Sequence, residues 1–176
     1  ISMGPGWSGV VDGLTQFTND PQSAGMHVGL NLFGSACEDV AYTAPRVPIA
    51  ELPGNGRALQ TALPTAPTEL QSAALPALRS SLGYARDWAT QHPNSKTILL
   101  LVTAPLDGDC NTNDQDMSAI ARTGVMDAMS IPTHVIELDM NANEDLSSIA
   151  QADGTGEARV IDTLELGIDQ VLFDLH

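Results

Sequence analysis

The amino-acid sequence predicts an α/β protein with a doubly wound, mostly parallel sheet flanked by helices. Apolar runs bounded by turn residues alternate along the chain with segments of helical apolar spacing. The uncharged run over residues 97–103 also suits a strand that is buried on both faces. Strands that alternate with helices usually pair in parallel through right-handed crossovers. The 176 residues are enough for one compact domain, and we predict a single domain over residues 1–176.

The individual elements are predicted from apolar spacing and from Gly, Pro, Asn and Asp at their ends. Helices are expected over residues 7–17, 56–63, 75–89, 117–124 and 144–152, and strands over residues 26–33, 46–49, 97–103, 133–138 and 157–161. We expect the strand over 97–103 to be the centre around which the chain is organised. The polar loop 106–116 would then lie at its carboxyl end, where open α/β sheets bind ligands.

The charge of the chain restricts its partners. There are 22 acidic and 7 basic residues, Lys96 is the only lysine, and the formal net charge is -15. Nucleic acid and anionic membrane surfaces would repel such a protein. No apolar run approaches the roughly 20 residues of a membrane span, and no charged-then-apolar leader opens the chain, so we expect a mature segment without membrane insertion. The acidic surface is either a solvated face or a partner-binding face.

The two cysteines, Cys37 and Cys110, lie in polar loops far apart in sequence. A disulfide that closes a long loop is one interpretation, and it would indicate an oxidising compartment. Two free buried thiols are the other. A metal site fits this pair less well, because no further Cys or His lies at ligand spacing.

Two other kinds of site were weighed from the residues. Oxygen-bearing side chains alternate at Asp107, Asp109, Asn111 and Asn113, as in a calcium loop, but the glycine and glutamate of an EF-hand loop are missing. A solvated turn held by Cys110 is the alternative. The four histidines are scattered and no Gly-x-Ser-x-Gly motif is present, so a hydrolase on this sheet is only a contrasting hypothesis.

Several short motifs occur in an order that resembles a von Willebrand factor A (vWA) domain of the secreted bacterial type with one disulfide. They are residues 2–4 before Trp7, residues 28–33, Cys37 with Tyr42 and Pro45, Trp88 with His92 and Pro93, residues 99–103 with Cys110, and residues 154–156. The resemblance covers most of the chain. It implies a Cys37 to Cys110 disulfide and a secreted, periplasmic or cell-surface location. It also implies a non-catalytic, adhesion-type module whose partner is a protein or cell-surface ligand.

The resemblance also implies a divalent-cation site at the carboxyl end of the sheet, with oxygen ligands from three loops. Ser2 matches the last serine of the family's first motif, but Ala66 stands at the threonine ligand position and Ala104 at the aspartate position. We therefore expect a lost or weakened metal site. The alternative is Mg²⁺ or Ca²⁺ bound through Ser2, Thr68, Asp174 and Asp107. The expected ligand-binding loops contain Ser2, Met3, Gly4, Thr68, Ala104, Asp107 and Asp109.

A vWA sheet has its first strand in the middle, yet this sequence begins at the loop that should follow that strand. The apolar run 170–175, read onward into the amino terminus, places Asp174, His176 and Ser2 as Asp-x-His-x-Ser, which would make the chain a circular permutant. Alternatively, residues 163–175 form a terminal helix, because Leu164, Ile168, Val171, Leu172 and Leu175 share one helical face. The first strand would then be absent from the sequence or supplied by another chain.

Overall fold

The computed structural model describes residues 5–63, 73–103, 109–138 and 146–161. The α-helices in these ranges are α1 (Pro5–Asn19), α2 (Gly56–Ala62), α3 (Ala74–Gln91), α4 (Asp114–Met126) and α5 (Ser147–Ala152). The strands are β1 (His27–Leu30), β2 (Val47–Glu51), β3 (Leu99–Thr103), β4 (Thr133–Leu138) and β5 (Arg159–Ile161). The mixed α/β class is confirmed. Within the described ranges, no helix is both long enough and apolar enough to cross a membrane.

The strands form two separate sheets in the described part of the chain. One sheet has three parallel strands in the order β3-β4-β5, with Leu101 opposite Val135 and Thr103 opposite Glu137. The other is the antiparallel pair β1-β2, in which Val28 lies opposite Ala50. The predicted parallel pairing is therefore confirmed for three strands. Both readings of residues 163–175, as central strand or as terminal helix, lie outside the described residues.

The most buried strand is β4, which lies between β3 and β5, and five of its six residues are buried. The strand over residues 97–103 was expected at the centre, but β3 lies at the edge of its sheet in the described part. The central place of this strand stays a prediction, since an uncharged run indicates contact on the two faces of a strand and a central place also needs partners on both edges.

Helix α1 packs against one face of both sheets. Its residues Trp7, Val10 and Leu14 belong to an apolar cluster with Leu100 and Val102 of β3 and with Ile136 and Leu138 of β4. Its carboxyl-terminal part contributes Phe17 to a second cluster, which includes Val28 and Leu30 of β1 and Val47 of β2. The apolar residues whose spacing predicted this helix therefore form one continuous stripe that packs against both sheets.

Helices α3, α4 and α5 cover the opposite face of the parallel sheet. Leu101 of β3 and Val135 of β4 are buried in a cluster to which these helices contribute Leu75, Leu78, Met117, Ala121, Ile149 and Ala150. Helix α3 also reaches β1, because the Asn31 side chain just after β1 donates to Ser81 Oγ over 3.0 Å. Two helices, α1 and α3, thus contact both sheets, one from each side.

Cys37 and Cys110 form a disulfide that joins positions 73 residues apart. Of the two interpretations that the residues left open, the disulfide is confirmed and the pair of free thiols is excluded. Cys110 lies in a short 3-10 turn, Asp109–Asn111, which follows β3 and precedes α4. The disulfide therefore fastens the loop after β3 to the segment after β1.

Candidate functional site at the carboxyl end of the parallel sheet

The carboxyl ends of β3 and β4 carry a pair of buried polar residues. Thr103 and Glu137 are register partners, with 5% and 1% of their surface exposed. Thr103 lies two residues after Leu101, and Glu137 lies two residues after Val135. Alternate residues of a strand share a face, so both side chains lie on the side of α3, α4 and α5. Each of the two residues has at least one interaction partner. This is the end of the sheet at which open α/β folds bind ligands, so both residues belong to the candidate site.

The loop after β3 is held at several points. Cys110 and Asn111 adopt left-handed backbone conformations, with φ of 55° and 58°, which are uncommon for a residue other than glycine. The disulfide holds Cys110 to Cys37, and the buried Thr112 accepts a hydrogen bond from Leu75 N at the start of α3 over 3.4 Å. Residues 109–113, the described part of this loop, are thus held in place before any ligand arrives, which lowers the entropic cost of binding.

Asn113 ends this loop as the N-cap of α4. Its Oδ1 accepts from Asp116 N over 2.9 Å, while its Nδ2 donates to Asp116 Oδ2 over 2.9 Å and to Asn111 O over 3.0 Å. The Asn113 oxygen proposed for a calcium loop is thus used by the helix. Among the described residues, no group of three His, Cys, Asp or Glu side chains is placed to hold a metal ion.

The segment between β1 and β2 is fastened to α3 beside this loop. The Asn31 side chain donates to Tyr42 O over 2.9 Å, and Gly34 N donates to the hydroxyl of the buried Tyr42 over 3.4 Å. Arg79 of α3 donates to both carboxylate oxygens of Asp39 at 2.9 Å. These bonds and the disulfide bring the loops after β1 and β3 together on one end of the molecule.

The structure describes few of the residues that the sequence assigned to the site. Ser2, Met3, Gly4, Thr68, Ala104, Asp107 and Asp174 lie outside the described residues. Asp109 is placed only by its backbone, in the turn that contains Cys110. Their grouping around a ligand or a cation stays a prediction. The described structure adds Thr103, which directly precedes Ala104, and the buried Glu137.

Sequence reasoning missed Glu137 and treated the histidines as scattered. The sequence could have indicated Glu137, because it lies two residues after Val135 in the same strand. Alternate residues of a strand face the same side, so the Glu137 carboxylate was to be expected on the buried face. The structure also brings His27 within 6.2 Å of His92, measured between ring centroids, next to a stacked Trp88–His92 pair at 4.1 Å. The cluster is an aromatic contact between β1 and α3.

The remaining described histidine, His134, has a lowered pKa. Burial lowers the pKa of His134 below its ordinary value, and the positive charges of Lys96 and Arg159 lower this pKa further, whereas Asp153 raises it. Asp153 also accepts a hydrogen bond from the backbone of Thr133, the first residue of β4. His134 therefore favours its neutral form at the amino end of β4, away from the candidate site.

Comparison with protein-family models, with curated proteins and with solved structures finds no match to this chain. The resemblance to vWA domains therefore rests on the sequence motifs themselves.

Proposed function

We propose that this chain is a non-catalytic vWA-like binding module that recognises a protein or cell-surface ligand through loops at the carboxyl end of its sheet. The observation that carries the proposal is the Cys37–Cys110 disulfide, which joins the segment after β1 to the loop that follows β3, the strand that ends at the buried Thr103. Loops ordered in advance suit recognition, because little conformational entropy is lost on binding. A doubly wound vWA sheet and an extracytoplasmic location are parts of the same proposal, and the disulfide supports the second.

The metal site of the family is proposed to be lost or much weakened. Ala66 and Ala104 carry methyl groups where oxygen ligands are expected, and a methyl group cannot coordinate Mg²⁺. Calorimetric titration with Mg²⁺, Mn²⁺ and Ca²⁺ tests this directly, and we expect no saturable binding. Micromolar binding that the Ser2→Ala variant abolishes would instead establish the second candidate, a cation site formed by Ser2, Thr68, Asp174 and Asp107.

The ligand-binding surface can be tested without knowing the natural partner. A phage-displayed peptide library is selected against the protein, and selected peptides are measured against two arginine variants. Ala104→Arg places a bulky charge in the proposed surface. Met126→Arg places the same side chain at an exposed position at the far end of α4, about 18 Å along the helix from its first residue.

We expect selected peptides to lose affinity for Ala104→Arg and to keep it for Met126→Arg. Equal binding to both variants and to the unchanged protein would place the ligand surface elsewhere and would contradict the proposal.

Catalysis is the contrasting hypothesis, and Glu137 is its best-placed described residue. Screening with ester and phosphoester substrates is expected to give no turnover. Reproducible hydrolysis that the Glu137→Gln variant removes would replace the binding-module proposal with an enzyme.

A further inference from the structure

Two exposed histidines meet where β1 begins and α3 ends. His27 is the first residue of β1, and His92 is the C-cap residue of α3. Their ring centroids lie 6.2 Å apart, and both residues are exposed to solvent. The strand and the helix therefore bring together two imidazoles that lie far apart in the sequence.

The His92 ring is held in one orientation by Trp88. The two rings stack with their centroids 4.1 Å apart and an angle of 13° between their planes. His92 Nδ1 lies 2.8 Å from Trp88 O, and a carbonyl oxygen can only accept, so Nδ1 carries the proton and donates. In the neutral ring the lone pair is then on Nε2. An imidazole that donates one N–H to a backbone carbonyl and keeps its other nitrogen free has the arrangement of a histidine metal ligand.

The distance between the two histidine rings suits one shared metal ion. A Zn–N bond of about 2.0–2.1 Å places a ring centroid about 3.2 Å from the ion, so two rings lie about 4.5–6.4 Å apart for ligand angles between about 90° and 180°. The observed 6.2 Å lies near the upper end of this range. A small rotation of the exposed His27 side chain gives the roughly 5.2 Å of a tetrahedral ion.

The charge around this pair favours a cation. Glu51 lies opposite His27 in the antiparallel pair of β1 and β2. Residues directly opposite each other share a face of the sheet, so a carboxylate neighbours the imidazoles, and the net charge of -15 adds to the attraction. The part of the chain that the structure describes contains no group of three His, Cys, Asp or Glu side chains placed to hold a metal ion. Water would therefore complete the coordination of an ion on this pair.

We propose that His27 and His92 form a two-histidine site for a divalent transition-metal ion of the Cu²⁺, Ni²⁺ and Zn²⁺ class. Imidazole nitrogen suits these ions, whereas Mg²⁺, Ca²⁺ and Mn²⁺ prefer oxygen ligands. The bound ion joins the start of β1 to the end of α3, so it fastens the antiparallel sheet to a helix that covers the parallel sheet. It stabilises the folded protein, because only the folded chain holds the two nitrogens together.

This metal site is remote from the proposed ligand-binding loops. His92 ends α3, whereas Leu75, near the other end of α3, contacts Thr112 in the loop after β3. The roughly 17 helical residues between His92 and Leu75 span about 25 Å. The two proposals can therefore fail independently of each other.

Calorimetric titration with Zn²⁺ and with Cu²⁺ tests the site on the wild type and on three variants. His27→Gln and His92→Gln each remove one ligand nitrogen and keep a polar side chain. His134→Gln is the matched control, because His134 lies near the positive charges of Lys96 and Arg159, which oppose a cation. Mg²⁺ and Mn²⁺ serve as control ions.

We expect saturable one-to-one binding of Zn²⁺ and tighter binding of Cu²⁺, in the order of affinity that these ions show at nitrogen sites. His27→Gln and His92→Gln should each weaken binding by at least about tenfold, the smallest usual loss when even an outer partner of a metal ligand is removed. His134→Gln should bind as the wild type does. Zn²⁺ should raise the Tm of the wild type and leave that of the first two variants unchanged.

Trp88 provides a second readout at the site. Cu²⁺ quenches the fluorescence of an indole ring a few ångströms away, whereas Zn²⁺, with its filled d shell, does not. An equimolar amount of Cu²⁺ should therefore quench Trp88, which stacks on His92. Trp88→Phe keeps an aromatic ring for the stack, so it should remove the emission that Cu²⁺ quenches and retain Zn²⁺ binding in the calorimeter.

The proposal is overturned by absence of saturable Zn²⁺ and Cu²⁺ binding, or by binding that depends on neither or on only one of the two histidines. Nuclear magnetic resonance of the wild type decides the question if a variant does not fold. Substoichiometric Cu²⁺ should broaden the ring signals of His27 and His92 together and before those of His134, and any other order contradicts a shared ion.

Discussion

Gly124 of α4 lies directly against Ile131, the residue two places before β4. Ile131 N donates to Gly124 O over 2.9 Å, and a Cβ atom at position 124 would lie 2.6 Å from Ile131 O. Ile131 is fully buried, so the backbone there has little room to shift. The close approach of α4 to this connection therefore depends on the absence of a side chain.

Gly124→Ala is expected to lower the free energy of unfolding by about 1–3 kcal/mol, the usual cost of forcing extra atoms into a packed site. Urea denaturation followed by circular dichroism measures the change. Gly83→Ala in α3 is the matched control, because no atom lies within 4 Å of its Cβ position, and alanine there should stabilise the helix by up to about 1 kcal/mol. Equal effects of the two substitutions would contradict the close contact.

Loss of the disulfide should be the largest single change in stability. The bond joins residues 73 positions apart, and closing a loop of this length corresponds to about 4 kcal/mol in the chain-entropy account. The double variant Cys37→Ser with Cys110→Ser is compared with the unchanged protein in oxidising and reducing buffers. The denaturation midpoint of the unchanged protein should approach that of the double variant only in the reducing buffer. Identical denaturation midpoints in both buffers would count against a stabilising disulfide.

The N-cap of α4 can be removed without touching the core. Asn113→Ala loses the hydrogen bond from Asp116 N and should cost about 1 kcal/mol in the free energy of unfolding. Asn113→Ser is the conservative control, since serine also caps helices well. Should Asn113→Ala and Asn113→Ser unfold at the same urea concentration, the cap would not stabilise α4.

The lowered pKa of His134 predicts a loss of stability in mild acid. Its pKa in the folded protein lies below the ordinary value of 6.5, so the unfolded chain binds more protons as the pH falls through 6.5. The contribution of His134 to the free energy of unfolding is therefore fully present above pH 6.5 and decreases below it. Urea denaturation of wild type and His134→Gln between about pH 5 and pH 8 measures this difference.

The variant should show a weaker dependence of stability on pH than the wild type below pH 6.5. A steeper acid loss in His134→Gln than in the wild type would reverse the assigned sign.

Local patterns predicted the elements better than their arrangement. The spacing of Trp7, Val10, Leu14 and Phe17 predicted α1, because one helical stripe reports burial on one side. The same local information placed 97–103 at the sheet centre, and the described structure gives β3 one partner, β4, on one of its edges. Which strands pair depends on contacts between distant residues, and an apolar run carries no record of them.

The candidate site shows the same division. The carboxyl end of the sheet was predicted as its location, and the buried pair Thr103 and Glu137 lies there. The pairing of Cys37 with Cys110 stayed open from the residues because two distant cysteines do not report their separation in space. Asn113 was weighed as an oxygen ligand of a calcium loop against a place in a solvated turn, and the structure shows that it caps a helix, a role set by the backbone of the following turn.

The position of α1 across both sheets has a consequence for how the molecule opens. In the described part of the chain, no strand-to-strand hydrogen bond joins the two sheets, so the packing of α1 and α3 and the Cys37–Cys110 disulfide couple them. Packing contacts break more gradually than a ladder of paired strands, and cooperative units of unfolding often follow such divisions. Native-state amide hydrogen exchange should therefore resolve two such units, one for each sheet. The packing of α1 should set the free energy at which one unit opens while the other stays folded.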